Sequence, residues 1–429
     1  YGTLIVVLYH VDCESYLYSI QKKRCIFMLT QHLRTLLLTE AKRHESFYFY
    51  DEQTLKESIH HLQQAFPHEQ ILYSIKCNPH RAMLKTIFAS GIDADAASLG
   101  EVYAASDCGV PSDHIYYSAP GKSDYCLEKA LGQCILIADS LNEIRRIDAL
   151  AARKNMKAPI GVRINPNFTY TDEKGCSSKF GIDEDAFFSA LPELKKLSHV
   201  LIIGLHTHLR SQELNWHILS NYYKNVFSLA SRLQEKLDGP LCFLNLGSGI
   251  GIPYCQDEAD CDIESLGHEL EKLRVIHEDT FSQARILIES GRYLAGPCGW
   301  YVTHIVDTKE SHGSHIAIAA NILNGFLRPC LEHLVTSTNP EAPAREPLFY
   351  RTGSTPFYVL NDTQEMEKVT IYGNLCTAAD IIASDVLLPK LAAGDVLAFP
   401  HAGAYSAVLT PFQFSSQVPP EVLFLKDVQ

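Results

Sequence analysis

The chain is 429 residues long, enough for two or three domains and a sizeable core. Hydrophobic residues make up 46% and charged residues 20%, a composition that excludes a disordered chain. With 37 Lys+Arg against 50 Asp+Glu, the net charge of −13 argues against non-specific nucleic-acid binding and against docking on an anionic membrane, while leaving room for a local basic pocket.

Residues 4–11 are apolar but broken by Tyr9 and His10, with no basic lead-in and no cleavage site, so a secretory signal is not expected. No apolar run reaches the roughly 20 residues that span a bilayer. The first methionine is Met28, and residues 1–27 show no periodicity. The expectation is a natural start near Met28 with a loose extension before it, which mass spectrometry of the native amino terminus would test. From about residue 47, short apolar strands alternate with helices. The helix over 53–66 carries Leu55, Ile59, Leu62 and Phe66 on one face, that over 142–153 carries Ile144, Ile147 and Leu150, and that over 217–237 carries Ile218, Tyr222, Val226, Leu229, Leu233 and Leu237. Between such helices, strands are predicted at 71–75, 92–95, 115–117, 135–138, 159–164, 201–205, 242–246 and 285–288. Eight strand-helix units in this length are the arithmetic of a (β/α)8 barrel. After Gly296 the rhythm changes to strands without long helices, at 301–307, 315–320, 348–351, 369–372, 396–399 and 422–425, an antiparallel β domain. Residues 334–346 read as an exposed loop. The expected division is an extension and lead-in over 1–45, a barrel over 46–296 and a β domain over 297–429.

Thirteen cysteines are scattered without Cys-x-x-Cys spacing, and Cys255 and Cys261 fall in an acidic loop. This reads as reduced thiols in the cytoplasm, with neither a disulfide framework nor a metal site.

Barrel chemistry sits at the carboxyl ends of the strands, where eight loops converge. Lys76 follows the first strand, Asp95 and Ser98 the second, Arg163 ends the fifth, and His206 and His208 follow the sixth. Gly247-Ser248-Gly249-Ile250-Gly251 follows the seventh, and Glu289 and Arg292 the eighth. Singly, each has an ordinary reading: a solvated lysine, a structural histidine, a tight turn. Together they point into one mouth, and their chemistries are complementary. A glycine-rich loop offers backbone N–H groups to a phosphate, and Arg292 adds a charge-assisted bond. A lysine can condense with an aldehyde, a carboxylate such as Glu289 can hold a pyridine nitrogen protonated, and an imidazole can stack on an aromatic ring. Phosphate, aldehyde and pyridine together describe pyridoxal 5′-phosphate.

At these residues the chain resembles the fold type III pyridoxal-phosphate decarboxylases, the group of the diaminopimelate, ornithine and arginine decarboxylases, and most resembles the diaminopimelate enzymes. The matching runs are Tyr73-Ser-Ile-Lys76-Cys-Asn78, Asp95-Ala-Ala-Ser98-Leu-Gly-Glu101, His208-Leu-Arg-Ser211-Gln212, Asn245-Leu-Gly247-Ser-Gly249-Ile-Gly251-Ile-Pro and Glu289-Ser-Gly291-Arg292, then Arg328-Pro329, Cys376 and Gly403-Ala404-Tyr405. The resemblance implies an alanine-racemase-like barrel followed by a β domain. It implies that Lys76 holds the cofactor aldehyde, His208 stacks on the ring, and Glu289 pairs with the ring nitrogen. Ser211, Gly247, Ser248, Gly249, Gly251, Gly291, Arg292 and Tyr405 would surround the phosphate, and the strand-end residues Asp95, Ser98 and Arg163 are counted with the cofactor-binding set. Cys376 would return a proton to the product carbon in the site of a second copy, which makes the expected assembly a homodimer. Expected partners are a small amino-acid substrate and that second copy, with neither nucleic acid nor membrane.

Three positions depart from the diaminopimelate pattern. The residue after the cysteine, normally acidic where it meets a distal ammonium, is Thr377; the tyrosine three residues after Arg-Pro, a contact for a distal carboxylate, is Glu332; and the glycine of the histidine motif is Arg210. The changes fall on the residues that read the far end of the substrate, with Arg328 and Arg210 as candidate anion contacts and Tyr405 at the border. They suggest an amino acid whose far end is conjugated, such as a siderophore or secondary-metabolite precursor. The alternatives are ordinary diaminopimelate decarboxylation, an amino-acid racemase, or a non-catalytic cofactor-binding homologue with Arg210 across the phosphate site.

Overall fold

The computed structural model describes residues 29–254, 258–338 and 356–426. The proposed extension over 1–27 and the strand at 348–351 lie outside them. The chain divides into two compact units, one from Lys56–Gly251 with Cys261–Leu294, the other from the chain up to Leu55 with Ile252–Asp260 and Ala295 onward. The first strand, β1 (Ser46–Asp51), belongs to the second unit.

The first unit is a closed parallel barrel. Its strands are β2 (Gln70–Ser74), β3 (Asp93–Ala96), β4 (Ile115–Ser118), β5 (Ile135–Ala138) and β6 (Ala158–Asn165), the two-residue β7 (Ile182–Asp183) appended to β6, then β8 (Val200–His206), β9 (Phe243–Ser248) and β10 (Arg285–Ser290). They run β5-β4-β3-β2-β10-β9-β8-β6, and β5 pairs with β6 to close the ring. The predicted strands fall within two residues of these, because buried parallel strands are short apolar runs bounded by turn residues. Leu72, Tyr116, Ile135, Ile137, Phe243 and Leu287 fill the barrel as one core cluster. Phe243 occupies a slot that two glycines leave open: a Cβ on Gly161 would come within 2.7 Å of its ring, and one on Gly204 within 2.1 Å. Gly204→Ala should therefore cost about 1–3 kcal/mol of overpacking, read as a lowered midpoint in thermal unfolding. Phe243→Leu in the same chain should return part of the loss.

The second unit is an eight-stranded sheet. Beside β1 it contains β11 (Gly299–Ser311), β12 (Ser314–Ala319), β13 (Tyr358–Val359), β14 (Met366–Gly373), β15 (Ile381–Pro389), β16 (Val396–Phe399) and β17 (Glu421–Leu425). The order is β13-β16-β11-β12-β14-β15, with β1 between β11 and β17. Most pairings are antiparallel, as expected, but β1–β17 and β12–β14 are parallel. Helix Gln31–Ala41 joins this unit. Its Leu37 and Ala41 share a core with Phe47, Phe49, Trp300, Val302 and Val396, and Leu33, Leu36 and Leu38 pack alongside. Residues 334–338, expected in a loop, instead continue a helix, Arg328–Thr338. Pro329 stands in its first turn, where a missing N–H costs nothing, and Cys330 is buried. The described cysteines are all unbridged. Among the described residues, no helix is long and apolar enough to cross a membrane, and no cluster of His, Cys, Asp and Glu could hold a metal ion.

Candidate active site

Lys76 lies on a single 3-10 turn directly after β2, and its Nζ is 2.6 Å from Asp95 Oδ2. Asp95 is fully buried at the end of β3 and is where three neighbouring strands meet: Ser74 Oγ donates to Oδ2 at 2.8 Å and Ser118 Oγ to Oδ1 at 2.7 Å. The half-exposed lysine thus has its amine fixed by a buried carboxylate that is itself fixed by two hydroxyls. One residue past β3, Ala97 donates its N–H to Glu101 Oε2 at 2.6 Å while Ser98 Oγ caps the helix by accepting Glu101 N–H at 3.2 Å. Ser98 therefore serves as a helix cap, in an arrangement close to a capping box. Burial pushes the Glu101 carboxyl up.

Across the mouth, Glu289 at the end of β10 is buried, with Asn245 Nδ2 donating to its Oε1 at 3.0 Å, His206 Nε2 at 3.2 Å from the same oxygen, and His208 Nδ1 at 3.6 Å from Oε2. Burial alone would raise this carboxyl, but His206, His208 and Lys76 outweigh it and hold it well below the usual carboxylate range. Burial also pushes the His208 imidazole down to about 3, so the ring stays neutral. Arg163 Nη2 donates to the His208 carbonyl at 3.1 Å, and its guanidinium lies over Phe180 at 4.5 Å and 3.9 Å from Asp139. Arg163 thus reaches the site through the backbone of His208.

The glycine-rich loop follows β9. Gly247, Ser248 and Gly249 have φ of +61°, +137° and +84°. A Cβ on Gly247 would fall 2.5 Å from Thr207 O, and one on Gly249 2.2 Å from Arg210 O, so both positions need glycine for conformation and for space. Ser248 has a side chain in the same region, a conformation costing about 1–3 kcal/mol that persists only where the surroundings impose it. Successive residues of this kind turn backbone N–H groups into a concavity suited to an anion. Gly251 N–H bonds to Glu213 O at 2.9 Å. Ser211 is half-buried on the facing segment, Gly291 packs against Cys77, and Arg292 is buried at the start of a short helix. Arg210, expected either to meet substrate or to cross the phosphate site, has partners of its own in the barrel unit. Its half-exposed guanidinium is ion-paired with Glu213 and lies 4.8 Å over the ring of Tyr170.

The other predicted residues belong to the sheet unit. Arg328 is buried, donates to the carbonyls of His401 at 3.1 Å and Ala404 at 2.8 Å and to Ser406 Oγ at 3.1 Å, and stacks on Tyr254 at 4.6 Å. Its donors thus secure the turn that carries Tyr405, itself at φ +53°. Glu332 lies one turn along the same helix and is partly buried. Cys376 is exposed, with Sγ 3.7 Å from Ser415 Oγ. The hydroxyl of Thr377 accepts Ala379 N–H at 3.3 Å. Buried Asp380 shapes this loop by accepting Leu375 N–H at 2.9 Å and Leu323 N–H at 2.8 Å.

The barrel residues fit pyridoxal phosphate on their own chemistry: an amine, an ionised buried carboxylate, a neutral imidazole and an anion nest share one mouth. Two buried polar atoms there, Ser290 Oγ and His208 Nδ1, have no hydrogen-bond partner among the described residues. The sequence sets His206 at the mouth and Asn245 at the head of the glycine-rich run, but gives neither a role; both hold Glu289. The available signal was position: His206 closes β8, and strand alternation sets 245 on the side of 247 in β9.

Comparison with known proteins agrees with this chemistry. Residues 52–296 match the family model described as the pyridoxal-binding domain of the pyridoxal-dependent decarboxylases. The chain is 31% identical over 386 residues, 87% of each sequence, to the L-glutamyl-[BtrI acyl-carrier protein] decarboxylase of Niallia circulans. It is 28% identical, over 88% of this chain and 93% of the relative, to the 2-[(L-alanin-3-ylcarbamoyl)methyl]-2-hydroxybutanedioate decarboxylase of Staphylococcus aureus. Among solved structures, the diaminopimelate decarboxylase of Helicobacter pylori complexed with L-lysine superposes with a TM-score of 0.78 at 24% identity, over 91% of this chain and 94% of that one.

Proposed function

The chain belongs to the pyridoxal-dependent decarboxylases, a carboxy-lyase that uses pyridoxal phosphate on an amino acid, and from that premise we propose that its substrate is an amino acid conjugated at its far end. The observation that carries this reading is Thr377. Directly after Cys376 the chain offers a neutral hydroxyl, engaged with Ala379 N–H, where recognition of a free distal ammonium calls for a carboxylate. Glu332 adds a carboxyl group where a distal carboxylate would otherwise be received. A site built for a charged group discriminates strongly, and a site lacking the partner does not reward that charge. The names of the two relatives above describe conjugated substrates, an L-glutamyl-[acyl-carrier protein] and an L-alanin-3-ylcarbamoyl hydroxybutanedioate, which supports the same reading.

When bound, pyridoxal phosphate supplies an electron sink for the pair left behind as carbon dioxide departs. This chain's residues do the rest. Lys76 would hold the cofactor aldehyde, with Asp95 as the acceptor that fixes its amine. Glu289, ionised and oriented by Asn245 and His206, would keep the ring nitrogen protonated. Neutral His208 would pack against the ring. The 247–251 loop and Arg292 would take the phosphate. Cys376 Sγ delivers a proton to the product Cα, general-acid chemistry by a thiol.

The working assembly is a homodimer in the cytoplasm, with Cys376 of each copy serving the barrel of the other. Mixing inactive Lys76→Ala and Cys376→Ala chains should then restore about a quarter of wild-type activity, since random pairing makes half the dimers mixed, with one intact site in two. No recovery on mixing would show that each copy is self-sufficient. The substrate class is tested by carbon dioxide release from meso-diaminopimelate, ornithine, lysine, arginine, 2-[(L-alanin-3-ylcarbamoyl)methyl]-2-hydroxybutanedioate and an L-glutamyl acyl-carrier protein. A conjugate should lead the panel in kcat/KM by about 10²-fold or more. Preference for free meso-diaminopimelate would overturn the proposal in favour of the lysine-pathway reaction.

A further inference from the structure

The loop at 247–251 is held in its strained shape from outside, and the restraints form a closed circuit. Tyr170, on the segment after β6, donates its hydroxyl to Ser248 O at 2.8 Å. The same hydroxyl is 3.3 Å from Arg210 O, the atom that abuts Gly249. The Arg210 guanidinium covers the Tyr170 ring at 4.8 Å and is ion-paired with Glu213. Glu213 returns to the loop through its backbone, donating N–H to Gly249 O at 2.8 Å and accepting Gly251 N–H at 2.9 Å, an isolated parallel bridge. Tyr222 backs the arrangement by donating to Leu246 O at 2.9 Å, with its ring 4.8 Å from that of Tyr170.

We propose that Tyr170, Arg210 and Glu213 form a latch that holds residues 247–251 in their anion-binding shape, with Tyr170 as the positioning residue. This rests on the reading that the loop takes the cofactor phosphate. Ser248 is the reason a latch is needed. With φ at +137° and a side chain to accommodate, its peptide relaxes unless the carbonyl is gripped, and relaxation turns the neighbouring N–H groups out of the concavity. Arg210 is the chain's departure from the glycine of related motifs, and the circuit gives that departure a use. The cation is spent on Glu213 and on the face of Tyr170, so it tightens the phosphate subsite without touching the phosphate. Burial keeps the Tyr170 hydroxyl protonated, and therefore a donor.

The test is the dissociation constant of the full chain, freed of cofactor, for pyridoxal 5′-phosphate and for pyridoxal, which lacks the phosphate. Tyr170→Phe keeps the ring and removes the donor. It should weaken pyridoxal phosphate by about tenfold while pyridoxal changes by less than about twofold. Adding Ser248→Gly to Tyr170→Phe should restore most of the lost affinity, because glycine holds the conformation without help. Arg210→Met, at a half-exposed position, should move the same ratio in the same direction, and it decides the matter if Tyr170→Phe does not fold. A variant that discriminates between the two compounds as well as wild type overturns the latch alone. A wild type that binds both equally overturns the phosphate assignment, and the latch with it.

Discussion

Alanine at position 76 should leave a folded chain with no stably bound, coloured cofactor and a turnover at least about 10³-fold lower. The size of the effect follows from the geometry. Lys76 Nζ is 2.6 Å from Asp95, which Ser74 and Ser118 hold in turn. Removing the amine deletes the covalent anchor and leaves Asp95 buried at the barrel mouth without its cation. That loss of an ion-pair partner predicts a lower unfolding midpoint as well. The measurements are the visible spectrum after incubation with pyridoxal phosphate and a single-turnover assay of carbon dioxide release. Near-normal release would remove Lys76 from the mechanism. If turnover fell while the colour persisted, another amine would be holding the cofactor.

Glu289→Gln is the second large change expected. Glutamine preserves the shape and still accepts from Asn245, but it cannot hold a proton at a ring nitrogen. The electron sink becomes shallower, and kcat should drop about 10²–10³-fold with a much smaller change in cofactor affinity. Equal losses in both would mark Glu289 as a structural residue. The acid behaviour of the site follows from the same cluster. His208 has its pKa depressed to about 3 by burial, below its value of about 6.5 in an unfolded chain, and Glu289 is held below the usual carboxylate range. In both cases the unfolded chain binds the proton more readily, so stability is full above about pH 6.5 and declines as the pH falls. His208 accounts for the upper part of that decline and Glu289 for the part below about pH 4.5. His208→Asn should flatten the stability profile between about pH 6.5 and 4.5, read by thermal unfolding across a buffer series. An unchanged slope would show that the imidazole is not held neutral.

The barrel and most of its mouth were legible in the sequence because the signal is local. An apolar strand reports itself by composition, its end by the polar residue that follows, and Lys76, Asp95, His208 and Glu289 all stand at such ends. The relations between strands were less legible. Asn245 and His206 hold Glu289 only because β8, β9 and β10 are neighbours, and alternation along one strand gives a side without giving a partner. Arg210 shows the same limit. As a large cation replacing glycine beside a phosphate loop it reads as an obstacle or an anion hook, and only the positions of Glu213 and Tyr170 show the guanidinium ion-paired with the one and stacked on the other. In the sheet unit, the run over 334–346 reads as a loop because it is rich in Thr, Pro, Ala and Glu, yet its first residues, 334–338, complete the helix Arg328–Thr338.

The aromatic slot described for the barrel also bears on traffic. With Phe243 seated between Gly161 and Gly204, and Leu72, Tyr116, Ile137 and Leu287 around it, the drum has a solid floor beneath its chemistry. That packing leaves no passage along the barrel axis, so substrate would enter, and gas and amine would depart, from the carboxyl-end side. A bulky substituent on the incoming amino acid would stand in the exit as well as the entrance, so the order in which the two products escape becomes part of how fast this enzyme can cycle.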